Sequence, residues 1–160
     1  MPIRKKLRLI NYDYSLAGAY FITICTAEMK PTFGKVVVGD AAHGVPIMEL
    51  NTTGKIVKQY IENINTVYKH THLDKYVIMP NHVHLIITVS EKGTPWAAYP
   101  TTDVPKIINS LKTLTSKKAG SSLWQRSYHD RIIRNEAEYR KIWQYIDESP
   151  TKWVNDKYYV

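Results

Sequence analysis

The sequence has little of what marks several large classes of protein. It has one cysteine in 160 residues, Cys25, which excludes an internal disulfide and a zinc site built from several cysteines. Its longest apolar runs, residues 20–25 and 85–89, are the length of strands and far shorter than a membrane span. Residues 1–6 are basic but no apolar segment follows them, so we expect no secretion signal. A single cysteine inside an apolar run fits a buried thiol in a reducing cytoplasm.

Acidic residues are scarce relative to basic ones. The chain has 22 Lys and Arg against 14 Asp and Glu, a formal net charge of +8. Such a surplus favours a polyanionic partner through counterion release, although charge alone does not choose between DNA, RNA and an anionic membrane. Cations interleaved with aromatic residues suit phosphate contact with base stacking, and they equally suit a solvated rim. The candidate nucleic-acid contacts are Lys106, Lys112, Trp124, Arg126, Arg131 and Arg134.

The pattern of apolar residues predicts an α+β fold. We expect strands at residues 19–26, 33–38, 45–50, 73–79 and 82–89, an extended stretch at 123–134, and helices at about 52–64, 104–118 and 136–149. Residues 91–102 hold two prolines and a glycine and predict a loop. This order indicates a ferredoxin-like antiparallel sheet with helices packed on one face, in one domain over residues 1–160 that includes a β-hairpin near 33–50.

Two histidines stand two residues apart in a predicted strand. His82 and His84 flank Val83, and side chains two apart on a strand point to the same face. Neutral imidazoles at this spacing can bind one divalent ion. They can equally be polar residues on the solvated face of a sheet, so the pair alone leaves both readings open.

One tyrosine of the last predicted helix lies off its apolar stripe. At 100° per residue, Tyr145 lies roughly 110° from the middle of the predicted core stripe. Packing therefore does not explain Tyr145, whose flank is polar, although an ordinary surface tyrosine remains an alternative. The predicted core stripe is Tyr139, Ile142, Trp143 and Ile146, and the polar flank is Lys141, Glu148 and Ser149.

Four segments together resemble one protein family. Residues 80–87, Pro-Asn-His-Val-His-Leu-Ile-Ile, resemble the His-hydrophobic-His (HUH) signature of the single-tyrosine transposases, in particular the REP-associated tyrosine transposases. The other segments are similar to the family's opening strand, its Trp-Gln-Arg stretch ending in Ile-Arg, and its tyrosine helix with the proline that ends it. Those segments are residues 11–15 with 18–25, 123–135, and 145–153. Four motifs in the right order, within residues 8–153, are more specific than any one of them.

The resemblance implies a metal-dependent enzyme that cuts and joins single-stranded DNA. His82 and His84 would hold Mg²⁺ or Mn²⁺, and Tyr145 would attack the DNA and form a 5′-phosphotyrosine intermediate. The chain departs from the family at one position. Members usually carry Asn four residues after the tyrosine, where it completes the metal site, and here that residue is Ser149. Glu148 could take its place.

The resemblance also implies a partner and a location. The substrate would be single-stranded DNA folded as a hairpin, the protein would be bacterial, cytoplasmic and nucleoid-associated without a membrane partner, and a homodimer is one assembly that relatives adopt. Two other functions stay open. One is a catalytically inactive binder of structured single-stranded DNA, which the serine at position 149 would explain. The other is an RNA-binding module on the same sheet, although the aromatic strand motif of RNA-recognition domains is absent.

Overall fold

A computed structural model describes residues 18–38, 44–90 and 104–160 of the chain. The predicted loop at 91–102 and the segment at 11–15 that resembles the family's first motif lie outside the described residues. The elements follow in the order β1 (Gly18–Cys25), β2 (Gly34–Val38), β3 (Pro46–Leu50), α1 (Thr52–Glu62), α2 (Ile64–Val67), β4 (Thr71–Met79), β5 (His82–Val89), α3 (Val104–Ala119), β6 (His129–Ile133) and α4 (Glu136–Glu148).

The main sheet has four antiparallel strands in the order β4-β5-β1-β6, and β2 pairs with β3 in a separate antiparallel hairpin. The predicted α+β class with an antiparallel sheet is therefore confirmed. The predicted extended stretch at 123–134 is only partly a strand, because β6 begins at His129. Before it, Trp124 forms a single bridge with Thr26.

One face of the sheet carries the hydrophobic core. Alternate residues of β1 and β5 point to this face because side chains alternate along a strand. Helices α1 and α3 pack against it and are themselves in contact. In α1 it is Val57 that is fully buried, and near the end of α3 Leu114 is 44% exposed. The residues at the centre of the core are Tyr20, Ile22, Ile24, Val57, Ile61, Val83, Leu85, Ile87, Ile107, Ile108 and Leu111.

Helix α4 lies against the opposite face of the sheet, which differs from the predicted packing of the helices on one face. Asn135 begins it as predicted, accepting a hydrogen bond from the Glu138 N–H at 2.8 Å. Polar contacts hold it on β4: the Tyr139 hydroxyl donates to Asp74 at 2.6 Å, and Lys75 pairs with Asp147 at 2.7 Å. The predicted apolar core stripe of this helix is therefore confirmed only in part, because two of its residues, Tyr139 and Trp143, contact charged residues of β4.

The burial of the side chains along α4 shows that its contact with the sheet is only partly apolar. Ile146 is the one residue of the helix that is fully buried, whereas Trp143 is 39% exposed. The ammonium group of Lys75 lies over the ring of Trp143, 4.9 Å from the ring centroid, in a cation–π contact. The helix therefore joins the sheet through a mixed polar and apolar contact.

The last residues of the chain return to the sheet. After Pro150 a 3₁₀ turn runs over Trp153–Asn155, and the Asn81 side-chain amide donates to the Tyr158 carbonyl at 2.7 Å. This contact fixes the C-terminal segment over the start of β5. No helix of residues 18–38, 44–90 and 104–160 is long and apolar enough to cross a membrane.

Candidate active site

The two histidines lie side by side on β5, on the face opposite the hydrophobic core. His82 pairs with Cys25 and His84 with Thr23 across the β1–β5 ladder, and the imidazole centroids are 4.6 Å apart. Neither ring is solvated: His82 is fully buried and His84 is 1% exposed. The solvated-face reading is therefore wrong, because α4 and the C-terminal segment cover this part of the sheet.

Asn81 fixes the tautomer of His82. The Asn81 amide nitrogen donates to two carbonyls, of Met29 and Tyr158, so its Oδ1 is assigned as the atom 2.8 Å from His82 Nδ1. An amide oxygen only accepts hydrogen bonds, so Nδ1 carries the proton and Nε2 keeps a lone pair. That Nε2 is buried and has no hydrogen-bond partner among the described residues.

His84 also has one ring nitrogen in a hydrogen bond and the other without a partner among the described residues. Its Nδ1 shares a hydrogen bond with the Thr23 hydroxyl at 2.7 Å, and its buried Nε2 also has no partner among the described residues. Burial, with a smaller contribution from the charge of Lys157, lowers the pKa of His82 to about 3. Burial, then the neighbouring His82 and Lys157, lowers the pKa of His84 well below its usual value. Both imidazoles are therefore neutral at physiological pH.

Tyr145 lies next to this pair. Its ring centroid is 5.2 Å from that of His84 and 6.2 Å from that of Phe21, which it meets edge-on. The side chain is 40% exposed and lines a pocket of about 420 Å³ together with His84. Burial, and then the carboxylate of Asp156, raises the pKa of Tyr145, so its hydroxyl is protonated at neutral pH. The spacing argument that singled out Tyr145 thus located a residue of this pocket.

Of the two candidates for a third metal ligand, only Ser149 lies at the pocket. Ser149 is buried and lines the same pocket, and its hydroxyl donates to the Tyr145 carbonyl at 2.8 Å, which leaves the oxygen lone pairs free. Glu148 is not brought to the pocket. Its carboxylate pairs with Lys152 at 2.6 Å and accepts from Gln144 at 2.9 Å, so both oxygens are engaged elsewhere.

Reasoning from the sequence missed the C-terminal segment. The ring of Tyr158 lies 4.3 Å from that of His82 and the ring of Trp153 lies 6.1 Å from it, measured between centroids. Asp156 and Lys157 line the Tyr145 pocket as well. The signal for this cover was the aromatic and charged composition of residues 153–160, which continues past the proline that ends the last helix.

The candidate nucleic-acid residues differ in their exposure and in their contacts. The base-stacking role for Trp124 is wrong, because its ring is buried against Phe33 and its indole N–H donates to Thr115 at 2.9 Å. Lys112 donates to the Gln125 carbonyl at 2.7 Å, and Arg131 pairs with Glu138 at 2.7 Å. The side chains of Lys106, Arg126, Arg131 and Arg134 are exposed.

The donor set fits a divalent metal with two protein imidazoles. Metal-binding histidines are neutral and direct one ring nitrogen to the ion while the other donates a hydrogen bond, and the asparagine and threonine partners here suit that arrangement. Among residues 18–38, 44–90 and 104–160, no group of three or more His, Cys, Asp or Glu side chains is placed to hold a metal. Further ligands would therefore come from Ser149, water or a substrate phosphate.

Comparison with known proteins gives relatives of similar length. No family model matches the chain. It is 34% identical over 175 aligned residues to a Haemophilus influenzae protein described as uncharacterized, covering 98% of this chain and 93% of that one. It is 26% identical to a candidate REP-associated tyrosine transposase of the same organism, over 89% of this chain and 76% of the relative.

The solved structures include a REP-associated tyrosine transposase bound to a REP hairpin. The superposition covers 91% of this chain and 73% of the transposase chain. Its TM-score of 0.60 at 18% sequence identity shows a shared fold.

Proposed function

We propose that the chain is a transposase similar to the REP-associated tyrosine transposases, and that it is a metal-dependent enzyme that cuts and rejoins single-stranded DNA. The substrate would be DNA folded as a hairpin, as in the REP hairpin bound by the structural relative. In this proposal Tyr145 is the nucleophile, and His82 with His84 are the metal ligands of an HUH-type site.

One observation carries this proposal. The Tyr145 ring lies 5.2 Å from the ring of His84 in a shared pocket, and the imidazole Nε2 has no partner among the described residues. A buried polar nitrogen without a partner costs about 1 to 3 kcal/mol. The chain carries this cost twice, at His82 and at His84, beside an exposed phenol. A metal ion that accepts the lone pairs of both Nε2 atoms would remove this cost and would lie next to Tyr145.

A divalent ion held by His82, His84 and the Ser149 hydroxyl would supply positive charge at the oxygens of the scissile phosphate. The residues of the chain supply the remaining requirements. Asn81 holds His82 in the tautomer that binds metal, and the Thr23 hydroxyl is able to accept from His84 Nδ1 in the same tautomer. Lys152 and Lys157 line the pocket and add positive charge where a phosphate would enter. The reacting tyrosine is mounted on α4, whose polar contacts with β4 fix its position.

The reaction exchanges one phosphate ester for another. The Tyr145 oxygen forms a bond to phosphorus as the bond from phosphorus to the 3′ oxygen breaks; the phenolic proton passes to solvent and the leaving oxygen takes up a proton. The products are a 5′-phosphotyrosine and a free 3′-hydroxyl. A second 3′-hydroxyl can attack the phosphotyrosine and restore the tyrosine. Because the number of phosphate ester bonds is conserved, joining needs no ATP.

A second candidate function rests on the cover over the histidines. With His82 fully buried and His84 1% exposed, a phosphate reaches them only if part of their cover, in α4 or in the C-terminal segment, moves. A chain in which this cover stays in place would bind hairpin DNA and not cut it. The binder is therefore the alternative to test against the enzyme.

End-labelled DNA separates these functions. The full chain is incubated in Mn²⁺ with a REP hairpin that carries single-stranded flanks, labelled at either its 5′ or its 3′ end. If the chain is the proposed enzyme, the 3′ label should migrate with the denatured protein. The 5′ label should be released on a fragment whose free 3′-hydroxyl terminal transferase can extend.

The opposite labelling would contradict a 5′-phosphotyrosine. Tight hairpin binding with no adduct in Mn²⁺ or Mg²⁺ would establish the binder. The Tyr60→Phe variant is the matched control, because Tyr60 lies on α1 at the core side of the sheet. It should form as much adduct as the wild type.

A further inference from the structure

The helices on the core face of the sheet enclose a groove that is open to solvent. One wall is formed by α1 and α2 and the other by α3, and the volume between them is about 160 Å³. We call it the α1–α3 groove. Because α1 and α3 pack on the face of the sheet opposite to His82 and His84, the groove is separate from the candidate active site. Its apolar lining includes Tyr60, Ile64, Val67, Ile107, Leu111 and Leu114.

The floor of the α1–α3 groove is buried and its mouth is apolar. Ile64 and Leu111 are buried, whereas Val67 is 64% exposed and Leu114 is 44% exposed. In α1, α2 and α3, which the structure describes in full, these two are the exposed large apolar side chains, and both line this one groove. A partner that covers them removes apolar surface from water, which favours binding.

Positive charge borders the mouth of the groove. Residues three or four apart on a helix are neighbours on its surface. Leu114 is therefore next to Lys117 and Lys118, and Ser110, which also lines the groove, is next to Lys106. All three lysines are exposed. One wall of the groove thus carries a basic rim along its length.

Negative charge is almost absent from the same helices. Glu62 is the one acidic residue of α1, α2 and α3. At 100° per residue it lies about 160° around α1 from Tyr60, on the side away from the groove. Its carboxylate pairs with Lys58 at 3.5 Å and accepts a hydrogen bond from Tyr76 of β4. The groove therefore combines an apolar lining with a basic border.

These two properties favour one kind of partner. An amphipathic helix places its apolar side chains in a groove between helices, and complementary charge at the rim adds specificity. A second copy of the chain is disfavoured because each copy has a net charge of +8. Nucleic acid is disfavoured because the floor, formed by Ile64, Ile107 and Leu111, is aliphatic and offers no ring for a base to stack on.

We propose that the α1–α3 groove binds an acidic amphipathic helix of a partner protein. An apolar cavity of about 150 Å³ holds a benzene-sized group. The groove therefore has room for one large apolar anchor, which would lie between Val67 and Leu114. Acidic residues on the flanks of the partner helix would face Lys106, Lys117 and Lys118. This binding does not depend on the proposed DNA cleavage.

A synthetic helix tests the proposal on the full chain. The probe is a fluorescein-labelled peptide with leucine at positions i, i+3, i+4 and i+7 of a helical repeat and glutamate on its flanks. A second peptide carries lysine in place of every glutamate. Fluorescence anisotropy at fixed salt measures the Kd of each. We expect the acidic peptide to bind at least about tenfold more tightly than the lysine peptide, because like charges at a rim oppose binding.

Paired variants locate the binding. Val67→Gln/Leu114→Gln makes the mouth of the groove polar, and it should raise the Kd of the acidic peptide by about tenfold or more. The matched control is Val38→Gln/Ile47→Gln, the same exchange at two residues of the β2–β3 hairpin that are 68% and 54% exposed. It should leave the Kd unchanged. All four side chains are exposed, so their replacement should cost little stability.

A charge reversal provides a second variant. Lys117→Glu/Lys118→Glu should weaken binding of the acidic peptide and strengthen binding of the lysine peptide, a reversal that unfolding would not produce. Equal binding of the acidic peptide to the groove variant and to the wild type overturns the proposal, as does equal binding of the two peptides to the wild type.

Two further outcomes would name another occupant and overturn the proposal. The first is that the acidic peptide does not bind, while a thymidine strand binds to the wild type and not to Val67→Gln/Leu114→Gln. The second is that the wild type self-associates in analytical ultracentrifugation and this variant does not. None of these measurements uses the DNA adduct, so the proposal and the proposed function stand or fall separately.

Discussion

Metal binding should appear as a gain in folding stability that depends on the histidine pair. A ligand that binds only the folded chain adds RT ln(1 + [L]/Kd) to the free energy of unfolding, about 2.7 kcal/mol at one hundred times Kd. We expect this gain when Mn²⁺ is added to the wild type. It should be absent from His84→Ala, because that substitution removes one of the two unpartnered Nε2 atoms.

The variant should still fold without metal. Removing the His84 imidazole leaves a cavity worth about 2 to 3 kcal/mol and costs the hydrogen bond to Thr23, about 1 kcal/mol. It also removes a buried nitrogen without a partner, which returns about 1 to 3 kcal/mol. The net loss should therefore lie between about 0 and 3 kcal/mol, although the ring is buried.

Urea denaturation followed by tryptophan fluorescence, at increasing Mn²⁺, measures both quantities. His70→Ala is the control, because it removes a histidine that lies outside the site, in the turn before β4. The control should keep the whole gain in Mn²⁺. An equal gain in His84→Ala would refute the reasoning, since the metal would then bind elsewhere.

Two further changes follow from the contacts around α4. Ser149→Asn places an amide oxygen where the serine lines the pocket. In the same titration it should lower the Kd for Mn²⁺ by about tenfold, equivalent to 1.4 kcal/mol. An unchanged or higher Kd would exclude residue 149 as a metal ligand. Tyr139→Phe loses the hydrogen bond to Asp74 and should lower the free energy of unfolding by about 1.5 kcal/mol, measured by urea denaturation beside Tyr60→Phe. A neutral Tyr139→Phe would mean that this bond does not hold α4.

Local features could be predicted from the sequence because they depend on neighbours along the chain. Asn135 precedes an amphipathic run and begins α4, and alternation around Val83 places His82 and His84 on one face. The position of Tyr145 off the apolar stripe also follows from helical periodicity alone. These features need no knowledge of what the chain packs against.

The remainder depends on contacts between distant residues. The bond from Asn81 to Tyr158 joins residues 77 apart, and the aromatic and charged composition of residues 153–160 does not indicate which part of the sheet this segment covers. Trp124 illustrates a second difficulty. An indole beside arginines suits base stacking and core packing equally, and only the partner at Thr115 decides for the core.

The residue that carries the covalent DNA tests the central claim most directly. Trypsin cleaves after Lys141 and Lys152, so the peptide 142–152 contains Tyr145 as its single tyrosine, whereas Tyr158 falls in the last three residues of the chain. Mass spectrometry of the digested adduct should find the nucleotide on peptide 142–152. Tyr145→Phe should form no adduct and should keep its affinity for the hairpin within a few-fold at fixed salt. A nucleotide on residues 158–160, or an adduct that persists in Tyr145→Phe, would contradict the assignment of Tyr145 as the nucleophile.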